Sequence, residues 1–141
     1  MARLERAARE EGLPFAARKR TYNSRLAQEL GKWAETMGKG HTFHDAAFRA
    51  YFAEDMDIGK VPELVNLAKS IGLPEREALE ILETRAFKQA VDSDWSRSYS
   101  EDITTIPTLV MNDRALVGAR PYETMEKFIR TSGARKRKTV T

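Results

Sequence analysis

At Thr104-Thr105-Ile106-Pro107-Thr108-Leu109-Val110-Met111 the chain changes character. Before it, apolar residues recur at helical spacing; within Thr108–Met111 they run consecutively and include β-branched types, which suits an extended strand. Asn112-Asp113 is a turn dipeptide, and Ala115-Leu116-Val117 is a second short apolar run, so the region reads as a β-hairpin. Gly118-Ala119-Arg120-Pro121 then leads into a helix over Tyr122–Arg130, with Tyr122, Met125, Phe128 and Ile129 expected to face inward.

Upstream, six helical segments are expected. Ala2–Glu11 carries Leu4, Ala7 and Ala8 at helical spacing and stops at Gly12. Leu13-Pro14-Phe15 is extended, because the residue before proline avoids the α region. Asn23 caps a helix over Ser24–Met37, whose buried face is Leu26, Leu30, Trp33, Ala34 and Met37. Gly38 and Gly40 close it, and Thr42 caps a third helix to about Glu54 with Phe43, Ala47, Ala50 and Tyr51 inside. Val61-Pro62 opens a fourth helix that ends at Gly72. Pro74 opens a fifth over Glu75–Glu83, and the sixth runs from about Arg85 to Tyr99 with Phe87, Val91, Trp95 and Tyr99 on one face. Many helices, a hairpin and a final helix make an α+β, mostly helical fold.

Composition narrows the function classes. With 141 residues, 41% hydrophobic and 32% charged, the chain suits one ordinary soluble domain. It contains no run of about 18 apolar residues that would cross a membrane. Met1-Ala2-Arg3-Leu4-Glu5-Arg6 lacks the apolar region of a secretory signal, which sets a cytoplasmic location as the expectation. The net charge of +3 owes its sign to Arg135-Lys136-Arg137-Lys138; without that run the balance is slightly negative. A solvated basic tail accounts for it, and nucleic-acid binding is not expected.

The chain contains no cysteine. The thiolate is the attacking group in thiol–disulfide exchange, so the isolated chain has none of its own to offer. His41 and His44, three apart with Asp45 beside them, are the only histidines. A zinc site wants three or four ligands with supporting partners, so capping and surface roles fit better and no metal is expected. The acidic pairs Glu10-Glu11 and Glu54-Asp55 sit at helix ends without the pairing that acid–base chemistry needs. No Ser-His-Asp set, phosphate loop or dinucleotide fingerprint is present, and no cofactor is expected. Two strands alone are marginal and leave both edges unpaired. Either helices cover those edges or another chain supplies strands, which points to a homodimer.

Several motifs, in this order, resemble the DsbA family of thioredoxin-like proteins, nearest its FrnE-like branch of predicted dithiol-disulfide isomerases. They are Gly12-Leu13-Pro14-Phe15, Tyr22-Asn23-Ser24-Arg25-Leu26-Ala27, Phe48-Arg49-Ala50-Tyr51-Phe52, Asp57-Ile58, Ile71-Gly72-Leu73-Pro74, Ile103–Val110 and Gly118-Ala119-Arg120-Pro121. The resemblance implies a DsbA-type helical insertion over 1–102, the C-terminal ββα half of a thioredoxin fold over 103–131 and a flexible basic tail over 132–141. It implies a cis Ile106–Pro107 bond, with Ile106 offering main-chain N–H and C=O groups to an extended peptide or glutathione-like ligand. Asn23 matches an asparagine that lines the active site in the glutathione-using branch, although a local N-cap explains it better.

Two departures accompany the resemblance. Family members begin with a strand, a Cys-x-x-Cys helix and a second strand, and this chain begins downstream of all three. Thr105 stands where the family usually has glycine. The expectation is a truncated, redox-inactive, homodimeric binding or structural module with Asn23, Thr105, Ile106 and Pro107 as substrate-binding residues and no catalytic residue. Its rivals are a glutathione- or peptide-binding isomerase or transferase of the 2-hydroxychromene-2-carboxylate isomerase type, and half of an oxidoreductase completed in trans.

Overall fold

A computed structural model describes residues 2–17 and 20–135. Its elements are α1 (Ala2–Glu10), α2 (Arg25–Thr36), α3 (Gly40–Phe52), α4 (Val61–Ser70), α5 (Glu75–Thr84), α6 (Lys88–Ser100), β1 (Thr108–Met111), β2 (Arg114–Val117) and α7 (Tyr122–Thr131). They form two compact units, 1–94 and 95–141, with α6 beginning in the first and ending in the second. The protein is mostly helical with one small sheet, as a DsbA- or thioredoxin-like α+β fold requires. The basic run at the C-terminus lies, beyond Arg135, outside the described residues.

The first unit is built on α2–α5. Leu30, Trp33 and Ala34 of α2 meet Phe43 and Ala50 of α3, Leu64, Val65, Leu67 and Ala68 of α4, and Ala78 and Leu82 of α5. These are the residues that recur every three or four positions, so helical periodicity is converted directly into burial. Gly72, at φ +80, ends α4 in the left-handed conformation that glycine adopts without strain.

Several local expectations need correction. Ser24, not Asn23, is the N-cap of α2. The third helix starts at Gly40, with Lys39 as N-cap and Thr42 inside its first turn. The sixth starts at Lys88, because Arg85 takes a left-handed conformation (φ 55) as the C-cap of α5 and so breaks the helix there. On α6 only Val91 is buried while Trp95 and Tyr99 are exposed, and Phe87, just before the helix, is half-buried. On α7 only Phe128 is buried, whereas Tyr122, Met125 and Ile129 are exposed. Periodicity finds the apolar face of a helix; it does not say that anything lies against it.

In the second unit β1 and β2 pair antiparallel, Thr108 with Val117, Leu109 with Leu116, Val110 with Ala115 and Met111 with Arg114. Asn112, at φ 53, opens the two-residue turn. Asparagine tolerates that conformation, which the twist of a tight hairpin favours. Arg114 lays its guanidinium over the Phe128 ring, 5.6 Å from the centroid, and donates to Thr131 Oγ1 at 3.0 Å. Asn112 Nδ2 donates to the Ser132 carbonyl at 2.7 Å. These contacts seat α7 on the sheet face that carries Leu109, Met111, Arg114 and Leu116.

Candidate functional site

The loop before β1 is open. Thr105 and Pro107 are exposed, and Ile106 is 89% exposed. The Ile106–Pro107 peptide bond is cis. Thr108 Oγ1 donates to the Thr105 carbonyl, and Gly118 N–H donates to the Pro107 carbonyl at 2.8 Å. Among the described residues, the main-chain N–H and C=O of Ile106 enter no hydrogen bond.

The hairpin register extends this opening into a strand edge. In an antiparallel pair, bonded and non-bonded positions alternate along each strand. The two-residue turn makes Met111–Arg114 a bonded pair, and the Gly118-to-Pro107 bond fixes the same phase at the other end. Leu109 and Met111 therefore turn their main-chain groups toward β2, whereas Thr108 and Val110 turn theirs outward. Among the described residues, the outward main-chain groups of Thr108 and Val110 on the outer edge of β1 have no hydrogen-bond partner, in line with those of Ile106. The sheet face opposite α7 is apolar and open, with Val110 47% and Val117 46% exposed.

The outer edge of β2 differs. Its outward carbonyl at Val117 accepts from Arg120 Nε at 2.9 Å. A cationic side chain thus occupies one edge of the sheet and leaves the other free. Spacing along the chain does not announce this contact, since Arg120 looks like an ordinary loop cation.

Asn23 belongs to the first unit, and Thr105, Ile106 and Pro107 belong to the second. Its Oδ1 accepts the Arg25 N–H at 2.8 Å, a local turn that leads the chain into α2. Gly59 lies close by: a Cβ there would come within 3.2 Å of the Asn23 carbonyl and 3.1 Å of Asp57 Oδ1. His41 and His44 are exposed, and no group of three metal-ligating side chains gathers among the described residues.

A charge cluster that sequence inspection did not anticipate lies one turn beyond Asn23. The Glu29 side chain is fully buried and takes Arg85 Nε and Nη2, each at 2.7 Å, and Arg25 Nε at 2.9 Å. Arg25 also reaches Asp92 and the Lys88 carbonyl, and Lys88 pairs with Asp92 at 2.7 Å. The Arg85 guanidinium, helped by Arg25, holds the Glu29 carboxyl below its ordinary range against the opposing effect of burial. Asp92 is lowered by Lys88 and Arg25. The cluster ties the start of α2 to the end of α5 and the first turns of α6, around a Glu29 side chain that is itself fully buried.

A helical body, a β-hairpin carrying a proline loop and a closing helix are the parts of a thioredoxin-like protein. Residues 1–130 match the family described as the DSBA-like thioredoxin domain, and the chain belongs to that family. It is 34% identical over 105 residues to a protein of Bacillus subtilis (strain 168) described as "Uncharacterized protein YwbO". The match covers 74% of this chain and 52% of that relative, so the chain spans about half the length of the curated relative it matches. No helix among the described residues is long and apolar enough to cross a membrane.

Proposed function

We propose that this chain is a binding module of the DsbA family, nearest the FrnE-like branch, that takes an extended peptide at the Ile106 loop and performs no electron transfer with its own residues. The observation that carries this reading is the exposed, unpaired main chain of Ile106 in line with the free edge of β1. A strand laid along such an edge gains affinity from main-chain hydrogen bonds, while flanking side chains set specificity. Leu109 and Met111 on one face and Val110 on the other favour apolar side chains in the guest. Exchange with a disulfide would need a thiolate, and the 141 residues contain no cysteine. The module works as a homodimer, since a two-stranded sheet with a free edge is completed by strands from a second copy.

The test is paired. Dithiothreitol-driven reduction of insulin by the purified chain stays at the uncatalysed rate, while a labelled hexapeptide of sequence Ile-Pro-Thr-Leu-Val-Met raises its fluorescence anisotropy on binding. Catalysed reduction overturns the first part, and no binding at millimolar protein overturns the second. Completion in trans by a Cys-x-x-Cys polypeptide is a second reading, favoured by the same open edge and by the half-length match to the relative. Glutathione binding draws less support, because the Asn23 oxygen is already engaged by the Arg25 N–H. Calorimetric titration with glutathione decides that point.

A further inference from the structure

We infer that the first half of α6 is an ionic clasp, closed on α2 through Arg25–Asp92 and Lys32–Asp94, which salt opens while the core of α2–α5 stays folded. All its parts belong to the first unit, and Asp94 is the last residue of that unit.

From Lys88 to Asp94, Val91 is the one buried residue and Ala90 is half-buried. That is little apolar area to seat a helix, and charge supplies the rest. Asp92 pairs with Arg25, whose Nη2 also donates to the Lys88 carbonyl at 3.0 Å, and Asp94 pairs with Lys32 Nζ at 2.7 Å. Successive helical residues are turned by about 100°, so Asp92 lies to one side of Val91 and Asp94 to the other. The two carboxylates bracket the buried valine, and their cations stand about two turns apart on α2.

A second set of partners makes the contact reversible. Arg25 Nε is held at 2.9 Å by the buried Glu29, which Arg85 grips in turn, so this guanidinium is in position before α6 arrives. Glu35, one turn from Lys32 on α2, approaches it at 3.8 Å, and Lys88 reaches Asp92 at 2.7 Å within α6 itself. When α6 leaves, Arg25 keeps Glu29, Lys32 turns to Glu35 and Asp92 keeps Lys88. Asp94, with its side chain 53% exposed, returns to water. Opening therefore strands no buried charge, which is the usual cost of breaking such pairs. The bonds it gives up lie near solvent, where salt screens them. A free helix of 13 residues is marginal in water, so the opened segment loses its amide protection. The chain leaves the first unit at this point, and opening exchanges a seated helix for a loose connection.

Hydrogen exchange of the wild-type chain in about 0.01 M and 1 M sodium chloride tests this, because the screening length falls from about 30 Å to about 3 Å. Protection of the Val91–Asp94 amides drops about tenfold at high salt, whereas that of Leu30, Leu64 and Leu82 changes by less than about twofold. The double variant Asp92→Asn, Asp94→Asn shows the lower protection already at low salt and little further change. Lys69→Gln breaks an exposed ion pair with Glu75, 2.8 Å long, that joins α4 to α5, and it behaves as wild type at α6. Urea titration followed by Trp33 fluorescence checks that each variant keeps its core. Protection of α6 that does not respond to salt overturns the clasp, as does a salt response that survives in the double variant. A loss shared equally by the amides of α2 and α4 is global unfolding and overturns the detachment. None of these outcomes bears on the peptide-binding reading of the Ile106 loop.

Discussion

Replacing Glu29 by alanine removes the carboxylate to which two arginines are anchored. Taking one partner from a buried ion pair costs about 3–5 kcal/mol when the charge left behind stays buried. Here the survivors are only partly enclosed: the Arg25 side chain is 21% and the Arg85 side chain 41% exposed. Both guanidiniums can recover water, which brings the expected loss to about 2–3 kcal/mol. For a body the size of the first unit, about 1 kcal/mol corresponds to roughly 4–8 °C, so the melting temperature should fall by about 10–20 °C. Trp33 is a suitable reporter, because it is buried in the same unit whereas Trp95 is exposed. The sign of the pH effect is fixed by the direction of the shift. The folded-state carboxyl is held below its ordinary value near 4.5, so its contribution is complete above about pH 4.5 and is lost as the pH falls through the lowered value. Wild-type protein should therefore lose stability more steeply below pH 4.5 than Glu29→Gln, in urea titrations followed by Trp33 fluorescence. A loss under about 0.5 kcal/mol for Glu29→Ala, or equal acid slopes for wild type and Glu29→Gln, refutes the reasoning.

Three further outcomes are expected. Phe128→Ala, which removes the ring between α7 and Arg114, should cost about 3 kcal/mol and abolish hydrogen-exchange protection of the hairpin amides. Ile106→Ser should leave the melting temperature within the range of surface substitutions, because the side chain is 89% exposed, yet weaken hexapeptide binding about tenfold in anisotropy titrations. Arg120→Ala frees the Val117 carbonyl and unguards the second edge, so light scattering should show species larger than a dimer; a strict dimer would mean that Arg120 does not guard that edge.

The two sites differ in how legibly they are written in the sequence. The Thr105–Pro107 loop stands out along the chain because consecutive apolar residues, a turn dipeptide and a family-like motif occur within a dozen positions. The Glu29 cluster was not found, since Arg25, Glu29, Arg85 and Asp92 come from three separate segments and each alone looks like an ordinary surface charge. Only folding brings them within hydrogen-bond distance, and only burial of Glu29 makes the pairing consequential. Arg85 shows the same limit in the backbone: it takes the left-handed conformation as the C-cap of α5, and the sixth helix begins three residues later than spacing alone suggested.

The order of elements, both strands to within a residue, the alternation that places Leu109 and Val110 on opposite faces and the absence of any thiol are legible along the chain. Those properties depend on neighbours along the chain, through local periodicity and backbone preference. That Tyr122, Met125, Ile129, Trp95 and Tyr99 stay exposed, and that Arg120 holds the outward Val117 carbonyl, is visible only in the folded chain. Whether an apolar face is covered, or a carbonyl already taken, depends on which distant segment arrives there, and no local pattern contains that information.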